Sequence, residues 1–343
     1  MLIKIRLFAL FSIIFLCFTA CDKDMQDNNF TEFDNGIYVA NEGVFNRDNG
    51  TVSYISFDGQ VTANDLIKDV NPNIDIGNIV QGIAFGEEYA CVTANNAGQA
   101  MLFDVVTWEY KKTIYGLKKP RYPYFINGLW YITEWGNSGN DGGISVYLES
   151  GEKVGYINTG GAPEKMLEQD GKLYVTMSLG FNTDNRLIII DLASETILKT
   201  LSLGTGPNSI VKNSDNVLYV LCGGDFVGNE SRLVVIKNDM VEKSILLQGN
   251  CSDLSIYKDI LYFHSFDKVY KAQFNSNQVN IKSQSQDASI YGLGVSPFGE
   301  IYITNAKDFN SQGELIQLDN ELNPISTLSA GVVPGQIFFR EKP

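Results

Sequence analysis

Seven times along the chain a tyrosine sits in a short strand of β-branched or small residues: IYVAN (37–41), YACVTAN (89–95), YITEW (131–135), YVTMS (174–178), YVLCG (219–223), YFHSF (262–266) and YITNA (302–306). Anchored on Tyr38, Tyr89, Tyr131, Tyr174, Tyr219, Tyr262 and Tyr302, the intervals are 51, 42, 43, 45, 43 and 40 residues. A repeat of about 43 residues has the length of one four-stranded propeller blade, a unit that cannot bury its apolar faces without neighbours.

The other strands of each repeat follow the same order. After the Tyr strand comes a second apolar run (TVSYISF, AMLFDV, ISVYL, RLIIIDL, RLVVIK, KVYKAQF, ELIQLD), then a more polar one such as EYKKTIYGL, EKVGYINTG or ILKTLSLG. Gly, Asn and Asp separate them at short intervals, as in antiparallel meanders. A fourth strand precedes the Tyr strand in the second to seventh repeats: IVQGIAF, PRYPYFI, PEKMLEQ, PNSIVKN, CSDLSIY and SIYGLGV. The first repeat has none, whereas the chain ends on an orphan of the same kind, PGQIFFR (334–340). The orphan is expected to supply the innermost strand of the first blade and remove the open edge at the join. The predicted fold is an all-β, seven-bladed propeller of four-stranded antiparallel blades over residues 35–343. A solenoid would need capping repeats instead.

The first twenty residues are set apart from this fold. Lys4 and Arg6 precede an apolar run from Leu7 to Phe18, too short to span a bilayer and followed by small residues, which is the layout of a secretory signal. Phe18-Thr19-Ala20-Cys21 resembles the lipobox of bacterial lipoproteins, with Phe18 in place of the usual aliphatic residue; the alternative is an ordinary cleavage site beside an incidental cysteine. Lipidation of Cys21 would anchor the chain to the outer membrane by acyl chains alone. The polar, acidic stretch that follows, within residues 21–34, reads as a flexible tether and is similar to the export signals of Bacteroidetes surface lipoproteins, which implies exposure to the cell exterior.

Loss of the leader removes Lys4 and Arg6 and leaves 24 basic against 40 acidic residues, a net charge of −16. Nucleic acid and anionic membrane faces attract basic surfaces, so neither is an expected partner.

The Tyr-strand repeats resemble the YVTN or YncE-like β-propellers. GIYVANEGVFNRDNGTVSYIS, PRYPYFINGLWYITEWGN, GGAPEKMLEQDGKLYVT and GTGPNSIVKNSDNVLYVLCGG together are similar to Bacteroidetes surface lipoproteins encoded beside TonB-dependent transporters. That group includes a cobalamin-capturing type (BtuG) and a type that captures iron–siderophore complexes. The resemblance implies a protein that binds a scarce nutrient and passes it to a TonB-dependent outer-membrane transporter.

Little in the sequence points to catalysis, so no enzyme activity, cofactor or metal is expected. The one histidine, His264, falls in or just after a strand, and there is no G-x-S-x-G elbow, no paired metal-binding histidines and no phosphate-binding loop. The clusters NRDNG (46–50), NSGNDGG (137–143) and FNTDN (181–185) suit either calcium ligation or tight turns. Cys222 and Cys251 come close enough in the expected topology for a disulfide, or remain buried free thiols.

A binding face follows from topology. The loops after the Tyr strands and the loops entering the next blade open on the same side. The former carry aromatics at repeated offsets: Phe45, Phe181, Phe226 and Phe309 seven residues past the anchor, Trp135 and Phe266 four past it. Exposed rings at loop tips are unfavourable unless something covers them, so either a ligand does or they pack back onto the blade tops. The entrance loops add Arg121, Tyr122 and Tyr291. Such a rim suits a large ligand that is flat or partly apolar. The loops of this face sum to about −6, which would repel a multiply anionic iron–catecholate but not a nearly neutral corrinoid. Cobalamin is therefore the leading ligand. Lys118, Lys119 and Arg121 keep a ferric siderophore as the alternative, since a local basic cluster acts strongly at short range. A protein-interaction propeller and a metal-dependent lactonase-like enzyme are more distant alternatives.

Overall fold

Alternation within the Tyr strands sets the architecture. In Gly36–Asn41, Ile37 and Val39 point to one face and Tyr38 and Ala40 to the other, and all four are buried. A strand covered on both faces is what a central strand of a stacked blade requires. The structure, a computed structural model, describes residues 32–47, 50–178, 183–225, 227–228, 230–275 and 278–342. Among them the chain forms seven four-stranded antiparallel sheets arranged as a seven-bladed β-propeller.

Blades 2 to 7 are sequential meanders whose innermost strands are Val80–Phe85, Pro120–Ile126, Pro163–Gln169, Pro207–Lys212, Ser252–Tyr257 and Ile290–Val295. Blade 1 is assembled from both ends of the propeller: Pro334–Arg340 pairs antiparallel with Gly36–Asn41, setting Phe339 opposite Ile37 and Ile337 opposite Val39. The orphan strand thus closes the ring, as the repeat pattern predicted. Burying that edge also removes a template for pairing with other chains.

The core divides into seven apolar clusters, one per interface between neighbouring blades. Each anchor tyrosine packs into the interface with the blade that follows: Tyr131 against Met166 and Val175, Tyr174 against Ile210 and Val220, Tyr302 against Ile37 and Val39. This is the physical reason for the tyrosine period. A ring wide enough to bridge adjacent blades is needed once per interface, and the hydroxyls of Tyr38, Tyr174 and Tyr302 also bond polar partners: the Phe33 carbonyl, Asp239 Oδ1 at 2.5 Å and Glu300 Oε2 at 3.2 Å.

The longest interval, between Tyr38 and Tyr89, contains the helix Leu66–Val70. Asp65 caps it by accepting from the Lys68 amide at 3.2 Å, and Leu66 and Ile67 are buried in the interface of blades 1 and 2. The tether assigned to residues 21–34 is corrected at its C-terminal end. Phe33 and Asp34 are buried, the Phe33 amide donates to the Val106 carbonyl at 2.8 Å, and the Phe33 ring meets Tyr54 edge-on at 5.3 Å. The leader, Cys21, Phe181 and Phe226 lie outside the described residues.

Candidate functional site

Every innermost strand slips register by one residue near its start. The slips lie between Val80 and Gly82, Pro120 and Pro123, Pro163 and Met166, Pro207 and Ser209, Ser252 and Ser255, and Ile290 and Gly292. In the closing strand Pro334 pairs with Asn41 but Gln336 with Ala40. A β-bulge turns side chains out of the alternating pattern. Seven of them at one end of the ring aim polar residues into the central channel, where they line a cavity of about 160 Å³.

The bulges free backbone N–H groups that need partners. The amides of Gly82, Tyr122 and Lys165 donate to the hydroxyls of Thr93, Thr133 and Thr176 at 3.1, 3.0 and 3.0 Å. Thr93 and Thr133 in turn donate to the Arg121 and Glu164 carbonyls of the next blade at 2.5 and 3.0 Å. The threonines within YACVTAN, YITEW and YVTMS therefore hold the channel-lining bulges in place.

Two polar networks result. In the first, Glu164 grips Arg121 through Nη2 to Oε1 at 2.5 Å and through Nε, which is shared between Oε2 at 3.1 Å and Oε1 at 3.2 Å, while Arg121 Nη1 also donates to Gln81. The Trp135 indole N–H donates to Glu164 Oε2 at 2.7 Å, and the Arg121 guanidinium lies 4.1 Å from the centre of a Trp135 ring. Burial works against the Arg121 charge, but Glu164 more than offsets it and holds the guanidinium above its ordinary range. In the second network, Lys165 Nζ donates to Gln336 Oε1 at 2.5 Å, Gln336 Nε2 donates to Asp253 Oδ1 at 2.8 Å, and Asp253 Oδ2 lies 3.2 Å from His264 Nε2. Burial pulls the Lys165 ammonium below its usual value. It pushes the Asp253 carboxyl up, but contacts with His264, Lys165 and Gln336 reverse that and leave it lowered.

Glu42 stands apart. Its Oε2 accepts from the Tyr291 hydroxyl at 3.2 Å, its side chain makes no ion pair among the described residues, and burial raises its pKa.

The structure sorts the aromatic and basic residues singled out in the sequence. Arg121, Tyr122, Trp135 and Tyr291 come together at the channel, and Phe309 joins them by packing edge-on against Tyr291 at 5.3 Å. Tyr122 corrects the expectation of an open entrance-loop contact: it is only 6% exposed, beneath the Lys165 ammonium at 4.0 Å from its ring, and its hydroxyl accepts from Gln81 Nε2 at 3.1 Å. Phe45 and Phe266 are exposed at 67% and 63% and do not fold onto the blade tops. Phe266 and Phe309 also hold left-handed backbone, with φ of 52° and 59°, a costly conformation for a bulky residue.

Glu42, Gln81, Glu164, Lys165, Asn208, Asp253 and Gln336 also line the channel, and none belongs to a recognisable catalytic motif of the sequence. A signal was present: aligning the seven innermost strands puts Gln81, Arg121, Glu164, Asn208, Ser252, Tyr291 and Gly335 in one column, ahead of apolar positions.

The remaining motifs take structural roles. Asp141 of NSGNDGG accepts from the Asn137 and Ser138 amides at 3.0 and 2.9 Å, bonds that hold its carboxyl down at about 2. Asp184 of FNTDN pairs with Arg186 Nη2 at 2.6 Å. Among the described residues no cluster of three or more His, Cys, Asp or Glu could hold a metal. Cys91, Cys222 and Cys251 are free and buried, and burial pushes the Cys222 and Cys251 thiols up to about 12 and about 11.

Known structures share this architecture. The chain is similar to a periplasmic gluconolactonase of Pseudomonas aeruginosa (TM-score 0.68, 13% identity, over 90% of this chain and 99% of that one). It is also similar to a quinonprotein alcohol dehydrogenase-like protein of Bacteroides thetaiotaomicron (TM-score 0.66, 17% identity, over 90% and 79%). A streptogramin B lyase aligns with a TM-score of 0.59 at 15% identity, over 76% and 90%. At such identities the likeness is one of fold, and propellers host unrelated activities. No curated protein matches the sequence significantly. The profile described as a domain of unknown function, DUF5074, matches residues 35–320, and the chain belongs to that family.

Proposed function

We propose that this protein is a binding propeller that captures a partly apolar organic nutrient on its loop face, with a corrinoid such as cobalamin as the leading ligand. Anchored through Cys21 at the outer-membrane surface, it would pass its cargo to a TonB-dependent transporter. The observation that carries the reading is the meeting of two unlike surfaces at one end of the ring. Exposed rings at Phe45, Phe266 and Phe309 surround a channel in which all charges but that of Glu42 are matched to one another, Arg121 with Glu164 and Lys165, through Gln336, with Asp253. Rings gain from covering a flat apolar body, while a matched polar floor offers hydrogen bonds without a strong net field. A nearly neutral ligand rich in polar side groups meets both conditions.

The same pairing favours binding over catalysis. Two of the three cavity carboxylates are tied to charged or polar neighbours, Asp253 to His264 and Gln336 and Glu164 to Arg121 and Trp135, which leaves Glu42, bonded only to Tyr291, as the one carboxylate in the cavity with the raised pKa of a general acid. A second reading, capture of a ferric siderophore, draws on the exposed Lys118 in the entrance loop to the third blade.

Tagless protein purified from its native organism should carry a coloured ligand, and a corrinoid absorbs differently from an iron chelate. Calorimetry of the apo-protein against cobalamin and against a ferric siderophore then decides between them. Binding of neither, with capture of a transporter in the absence of any small molecule, would make this a protein-interaction propeller. A stoichiometric metal on elemental analysis would favour the lactonase-like alternative.

A further inference from the structure

The central cavity is lined by polar and charged side chains, unlike the aromatic rim above it. At about 160 Å³ it offers roughly ten times the space that one water needs, enough for a small terminal group or a single small ring but not for a macrocycle. Its walls carry two groups with unused hydrogen-bonding capacity. Glu42 accepts only from Tyr291 among the described residues, which leaves Oε1 unpaired. Lys165 spends one of its three ammonium donors on Gln336.

Charge narrows what can enter. A carboxylate would sit among Glu42, Glu164 and Asp253, whereas an ammonium would sit beside Arg121 and Lys165. Either ion would also lose its hydration in a confined site. A neutral group carrying both a donor and an acceptor meets neither penalty. Glu42 belongs to blade 1 and Lys165 to blade 4, and no ion pair joins them, so a group with its donor and acceptor on separate atoms bridges the gap more readily than one with both on a single atom. A hydroxyl presents both on a single oxygen. A carboxamide divides them.

We infer that the cavity takes a terminal carboxamide of the captured molecule, its NH2 donating to Glu42 and its oxygen accepting from Lys165. The inference rests on the capture reading of this face and adds the chemistry of the group that reaches the floor.

Small probes test it without the full ligand. Saturation-transfer NMR titrations of the mature domain would compare propionamide, propionate, propylammonium and 1-propanol. Propionamide should bind more tightly than the other three by roughly tenfold, the scale of one hydrogen bond to a charged group. Lys165→Met and Glu42→Leu should each lose that preference, while Glu42→Gln, which keeps a carbonyl acceptor, should retain it. Thermal melts of each variant establish folding, and Lys165→Met carries the test alone where Glu42→Leu does not fold. Equal or tighter binding of propionate, propylammonium or propanol, no binding of propionamide, or propionamide binding unchanged by Lys165→Met overturns the inference. Cobalamin binding without propionamide selectivity defeats this inference alone. Propionamide selectivity without cobalamin binding defeats only the choice of cargo.

Discussion

Lys165 of the fourth blade donates to Gln336 of the C-terminal strand at 2.5 Å, joining the closing strand to the opposite side of the ring. Gln336 passes the contact on to Asp253 of the sixth blade, which in turn meets His264. The strand that seals the first blade therefore also supplies the centre of a hydrogen-bonded bar across the channel. Closure of the fold and construction of the candidate site are one event, because both depend on where residues 334–340 pair.

Replacing Gln336 by Leu should break this bar while keeping side-chain volume. Lys165 and Asp253 Oδ1 would both lose a partner in a buried setting, at a cost of about 1–3 kcal/mol. Denaturant unfolding should show a lower midpoint with an unchanged slope. An unchanged midpoint would mean that water replaces the glutamine at no cost.

Deleting residues 334–343 should have a larger effect. Gly36–Asn41 would lose its inner neighbour, and Ile37 and Val39 would lose Phe339 and Ile337. The exposed edge invites pairing between chains, so the truncated protein should aggregate or lose its single cooperative transition. A truncated protein that melts like the full chain would refute the importance of ring closure.

Glu42→Gln should stabilise the ligand-free protein at neutral pH. Burial raises the folded-state pKa of Glu42 above its ordinary value of 4.5, so the folded state binds its proton more tightly than the unfolded state does. Above the raised pKa the ionised carboxylate costs stability, and below the ordinary value the group is protonated in both states. The advantage of the substitution should thus be full above the raised pKa and fade as pH falls through it towards 4.5. Thermal melts of the two proteins across that range check the sign; a pH-independent difference would assign the effect to something other than ionisation.

The blades were legible in the sequence because one residue type answers one packing need per interface. Tyr38, Tyr131 and Tyr302 recur where a ring must bridge to the next blade, and the C-terminal PGQIFFR matched the six innermost strands before it. The channel was harder to read. Period-two alternation assumes an unbroken ladder, and a bulge shifts its phase, so Glu164, Lys165 and Asp253 sat in segments that read only as strand starts. Arg121 and Tyr122 stand out by residue type and read as part of an entrance loop, whereas they occupy the bulge of Pro120–Ile126. Trp135 stands out in the sequence but its partner Glu164 does not, because the two lie on different blades and their bond at the channel leaves no local pattern.

The rim rings should separate binding from stability. Phe45 and Phe266 are largely exposed, so their removal takes little from the core, whereas covering them with a ligand is worth about 1–4 kcal/mol at any position that is a hot spot. Trp135 differs, since its indole donates to Glu164 and lies over Arg121, so Trp135→Ala should lose affinity and about 1–2 kcal/mol of stability together. Phe266 offers the sharpest contrast. Its left-handed backbone, φ 52°, costs a bulky residue roughly 1–3 kcal/mol, more than the roughly 0.5–1 kcal/mol that glycine adds in unfolded-state entropy. Phe266→Gly should therefore raise the melting temperature while weakening binding. A lower melting temperature with unchanged affinity would show that the ring stabilises the blade top and that the ligand contacts lie elsewhere on the rim.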